Sequence, residues 1–142
     1  MALKDDIDAV FQSQSFPVGD LFGPGDPEGA EELFEVPRAA LGAELLAMHT
    51  AAVNFLSDGG FCFLLPAFMR VALQQPHSAV ADSLLSRLIP PKGNPNRPSY
   101  QAWWSRLNGQ QQDIVVRFLR YMEPHSDYDL ATAADVLGAT LE

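Results

Sequence analysis

Apolar residues recur at three- and four-residue intervals along most of this 142-residue chain, the spacing of amphipathic helices. Leu3, Ile7, Val10 and Phe11 predict a first helix over 3–14. Residues 28–36 form a weaker helical patch that Asp26 caps and Pro27 opens. A longer helix is expected over 37–56, with Leu41, Leu45, Leu46, Met48, Ala52, Val53 and Phe55 turned inward. Ser57 then caps a segment, 61–75, that is apolar nearly all round and therefore central. Pro66 lies inside it, removes one backbone bond to Cys62, and predicts a kink or a junction of two short helices. Further helices follow over 79–89, from a Ser99 cap through Trp103, Trp104 and Leu107, and over 109–122 behind an Asn108–Gln111 capping box. Asp129 opens the last, which ends at Gly138.

Alternation of apolar and polar residues is nowhere sustained enough to predict a strand. The breaks concentrate in two proline- and glycine-rich loops, 15–27 and 90–98. The pattern gives an all-α fold: one compact domain, 1–142, of six or seven helices. Within it, residues 1–36 form an N-terminal arm packing on a body of 37–142. Adjacent tryptophans on a helix point about 100° apart, so one of Trp103 and Trp104 is expected inside and the other near the surface.

Charge adds a second division. Residues 1–58 hold eleven acidic side chains against two bases, Lys4 and Arg38, and so carry the whole formal charge of −9; residues 59–142 hold seven of each. A one-signed region steers encounters with an opposite charge and argues against nucleic acid as a ligand. The longest apolar run, Phe61–Met69, is far short of the roughly 20 residues of a membrane span. Acids stand where a secretion signal needs bases. A single cysteine, Cys62, fits a reducing compartment. A cytoplasmic protein without membrane or nucleic-acid partners is the expectation.

Candidate chemistry is sparse. His49, His77 and His125 each lack a neighbouring ligand at helical spacing, so no metal or other cofactor is expected. His125-Ser126-Asp127 are consecutive on a turn, and a triad is a matter of geometry across a fold. Cys62, between Phe61 and Phe63, reads as a buried structural thiol. Glu28, Glu31, Glu32 and Glu35 share helical spacing and repel one another, which calls for a countercharge: Arg38, a cation or a basic partner.

Several of these segments together resemble a known family. Phe55-Leu56-Ser57, Phe61, Leu65-Pro66-Ala67-Phe68, Leu88-Ile89-Pro90-Pro91, Gln111 and Phe118-Leu119-Arg120-Tyr121 are similar to a bacterial family of small helical proteins of unknown function, over about residues 37–122. The resemblance implies a helical fold and assigns no residue a role.

The expectation that follows is a non-enzymatic protein-binding module, in its most concrete form an immunity-like inhibitor of a partner with a basic surface. Glu28, Glu31, Glu32 and Glu35 would meet that surface, with Leu33 and Phe34 as apolar anchors. The alternative is a small-molecule-binding or enzymatic helical domain with a pocket near Trp103, Trp104 and His49.

Overall fold

The computed structural model describes residues 3–12, 14–17, 19, 21–22, 30–50, 53 and 55–141, the side chains of Ala30 and Glu31 aside. Among them are seven α-helices and no strand: α1 (Leu3–Phe11), α2 (Ala43–Met48), α3 (Asp58–Gln74), α4 (Ala79–Leu88), α5 (Pro98–Trp104), α6 (Gly109–Met122) and α7 (Leu130–Ala139). Helix α3 is the axis of the bundle, packing on α1, α4 and α5, while α6 packs on α1 and α7. Ile7, Phe11 and Leu33 share one buried cluster with Phe61, Phe68, Phe118 and Leu137. No described helix is long and apolar enough to cross a membrane.

Local side-chain chemistry sets most helix starts. Ser57, Ser78 and Asp129 each accept the backbone N–H three residues on, and Asn108 and Gln111 cap reciprocally. Two ends differ from the sequence reading. Helix α5 starts at Pro98 after Arg97 rather than from a Ser99 cap, because proline suits the first helical position. Helix α7 runs through Gly138, which lies against Val116 and Arg120 of α6.

The expected helix over 37–56 does not form. In its place are a 3-10 turn, Arg38–Ala40, the six-residue α2, a turn at His49, and 3-10 geometry again at Thr50 and Val53. Carbonyls that such a segment leaves without helical partners need donors from elsewhere. Arginines of the following helices supply them. Arg70 of α3 donates to the carbonyls of Arg38 and Leu41 at 3.1 and 2.8 Å, and Arg87 of α4 donates to those of Val53 and Leu56. The Arg87 guanidinium also lies 4.1 Å above the Phe61 ring.

Nor does Pro66 divide α3, which is one helix of 17 residues. The proline deprives the Cys62 carbonyl of its i+4 donor, and Gln14 Nε2 takes that place at 3.1 Å. Gln14 Oε1 in turn accepts from Arg38 Nη1. Arg38 also donates to the carbonyls of Phe63 at 2.9 Å and Phe11 at 2.7 Å. One glutamine and one arginine thus tie the end of α1, the 3-10 turn and the proline-interrupted turn of α3 together.

Candidate functional site

The acidic segment is partly neutralised by the fold. Arg117 of α6 pairs with Asp6 at 2.8 Å, and Asp8 lies 3.4 Å from Lys4 and 3.7 Å from Arg70. Arg87 approaches Asp58 at 3.8 Å. The charge segregation along the sequence is therefore reduced in space. Among the described residues, Asp5, Glu35 and Glu44 make no ion pair and are exposed.

Residues Ala30–Phe34 form a 3-10 helix rather than an α-helix. Glu32 finds a hydrogen-bonding partner inside the molecule, contacting His49 Nε2. Arg38, the other internal candidate, is committed to backbone carbonyls. Glu28, with the Asp26–Pro27 helix start, lies outside the described residues, as does the Glu31 side chain. The apolar anchors need correction. Leu33 is fully buried, and Phe34 is half-buried in an aromatic cluster with Phe16, Phe22 and Phe63. Both face the core because a 3-10 helix this short covers it with its apolar residues, while the Glu32 side chain stays 43% exposed and Glu35, just after the helix, is exposed.

The side chains that are exposed lie further along. Helix α2 follows Gly42, and its six residues bury Leu46 while presenting Glu44 and Met48 to solvent. Met48 is 68% exposed. Gly42, Glu44, Leu45 and Met48 line a notch of about 290 Å³. Val36, beside Glu35, is also exposed. Met48 is not turned inward as the 37–56 spacing predicts, because α2 ends at this residue and buries only Leu46 fully.

The tryptophan pocket does not form as expected. Trp103 and Trp104 are each only 2% exposed. Trp103 stands edge-on to Phe61, centroids 5.1 Å apart, and both indoles contact Tyr100. A seven-residue helix enclosed on more than one side buries residues in adjacent directions, which the one-face argument did not allow. His49 sits against Glu32, and Trp103 alone reaches the edge of a cleft shared with Arg87 and Tyr100.

Cys62 is buried, its thiol 3.3 Å from the Trp103 carbonyl, and burial pushes its pKa up to about 12. The fold pairs two histidines that stand far apart in sequence: the His77 and His125 rings are 6.3 Å apart beside Asp82 and Tyr128. Even so, no group of three or more metal-ligating side chains forms among the described residues.

Residues 14–137 match the model of a family of unknown function, DUF6714. The chain belongs to that family. No curated protein and no solved structure matches it. The DUF6714 match extends beyond the 37–122 span of the sequence resemblance at both ends. It begins at Gln14, the residue that replaces the bond lost at Pro66, and takes in Arg38, Arg70 and the whole of α2. Helix α1 precedes it.

Proposed function

We propose that this protein is a non-enzymatic protein-binding module whose acidic N-terminal third takes a partner with a basic surface. The observation that carries the reading is the α2 face: Met48 stands in solvent beside half-buried Leu45 and the unpaired Glu44. A methionine is an adaptable apolar contact, and uncompensated carboxylates around it favour a cationic partner. Glu35 and Val36 extend the same chemistry along the chain. Glu32, held by His49, contributes position more than free charge. An immunity-like inhibitor acting by occlusion in a bacterial cytoplasm is the most concrete form of this reading, by analogy of size and charge. The lone buried thiol fits a reducing compartment.

The test compares two baits in lysate of the source organism, the natural chain and a Glu35→Lys/Glu44→Lys variant with unchanged circular dichroism. A basic protein retained in stoichiometric amount by the natural chain at low salt, and lost both at high salt and from the variant, is expected. The same proteins on both baits, or none on either, would overturn the reading.

A further inference from the structure

Between α1 and the middle of α3, above the buried Phe11 and Pro66, runs a groove of about 730 Å³ lined by half-buried Phe63, exposed Pro37 and Ala9, and three cations, Lys4, Arg38 and Arg70. That volume lies within the range of small-molecule sites, about 300–1,000 Å³. Asp8 is the one carboxylate among the described lining residues, and Lys4 and Arg70 share it. Three positive charges thus face one negative charge, in a chain whose formal net charge is −9.

The cations keep donors directed at no protein acceptor. Arg70 Nη2 is taken by two carbonyls, but Nη1 meets Asp8 only at 3.7 Å, beyond hydrogen-bond length. Lys4 carries three N–H donors and makes one bond, to Asp8 at 3.4 Å. Burial lowers the Arg38 pKa, and the like charge of Arg70 lowers it further against the opposing pull of Asp8. Cations placed this close repel one another, and a bound anion relieves that repulsion. Backbone satisfaction accounts for Arg38 and Arg70; it does not account for Lys4 or for the open apolar wall beside them.

The geometry points to a binding site for a small organic anion with an apolar body. A carboxylate or phosphate head sits among Lys4, Arg38 and Arg70, and the hydrocarbon part lies on Phe63, Pro37 and Ala9. Asp8 competes with the head group for Lys4 and Arg70, so it sets the affinity from inside the groove. The site is separate from the α2 face.

Titration calorimetry of the full chain tests this with three probes: 4-phenylbutyrate, phenyl phosphate and the uncharged 4-phenylbutan-1-ol. At least one anion is expected to bind saturably, with a dissociation constant of about 0.1–1 mM, and the alcohol at least tenfold more weakly. Whichever anion binds more tightly identifies the head group. Lys4→Gln weakens binding about threefold, the scale of a half-exposed ion pair, while Asp8→Asn strengthens it by a similar factor. Lys92→Gln, in the exposed 91–93 turn, leaves it unchanged. All variants lie on the surface, and circular dichroism confirms folding before titration. Absence of saturable binding of either anion to both the natural chain and Asp8→Asn would overturn the proposal. So would an alcohol that binds as tightly as the anions, or Lys4 and Asp8 variants that shift affinity in the same direction.

Discussion

Gln14 and Pro66, changed separately and together, isolate the bond that holds α3 continuous. Gln14→Ala removes the donor to the Cys62 carbonyl and the acceptor of Arg38 Nη1. A net hydrogen bond is worth about 1 kcal/mol, and a part-buried carbonyl left without a partner adds about 1 kcal/mol or more. The single change should therefore cost about 2–3 kcal/mol. In a Pro66→Ala background the new amide N–H closes the helical bond to Cys62 itself. Gln14→Ala then forfeits only the Arg38 contact, about 1 kcal/mol. The expected coupling between the two sites is about 1–2 kcal/mol, readable as urea midpoints of the four proteins at constant slope. Equal costs of Gln14→Ala in both backgrounds, within about 0.3 kcal/mol, would refute the claim that Gln14 replaces the missing backbone donor.

Two glycines should respond oppositely to alanine. A Cβ on Gly60 runs into the Leu21 carbonyl oxygen and reaches 3.3 Å from the Phe34 ring, so Gly60→Ala should destabilise by about 1–3 kcal/mol despite the better helix former. Gly109, with open space around it, should gain about 0.4–1 kcal/mol; both are read by chemical denaturation. With its pKa near 12, only about one part in ten thousand of the Cys62 thiol is ionised at pH 8, against about a quarter for a free thiol. Labelling by a disulfide reagent should wait on unfolding, and rapid native labelling would contradict the burial. The Asp129 carboxyl is held below its ordinary 3.8 by the Thr132 hydroxyl and then by the Thr132 backbone N–H. Its support for α7 is therefore present above pH 3.8 and lost as pH falls through the lowered value. Asp129→Asn should flatten that part of the urea-midpoint profile between pH 2 and 5.

Three helix N-caps were legible in the sequence because each is completed within three residues: Ser57 to Gly60, Asn108 to Gln111 and Asp129 to Thr132. The buried character of α3 and of Cys62 followed from uninterrupted apolarity. What escaped was set across the chain. Nothing local indicates that Arg87 will take the carbonyls of Val53 and Leu56, or that Gln14 will repair α3 from 48 residues away. Without those donors in view, 37–56 reads as a helix and Pro66 as a break. The acidic cluster misled for a related reason. Its residues were read as one face offered to a basic partner, whereas Leu33 is drawn into the core and Glu32 is held by His49. The exposed contact chemistry consequently moved to Glu44 and Met48. The groove at Lys4, Arg38 and Arg70 joins residues from three separate segments and has no signature in any one of them.

The account turns on whether the α2 face recruits its partner by charge. Once a basic protein has been captured, the most direct measurement is its association rate with the natural chain and with Glu35→Lys/Glu44→Lys and Met48→Asp, across ionic strength. The account predicts an association rate that falls steeply with salt, a charge-reversed variant slowed in association with little change in dissociation, and a Met48 variant that dissociates faster. Association rates that are flat with salt and alike in all three proteins would contradict it.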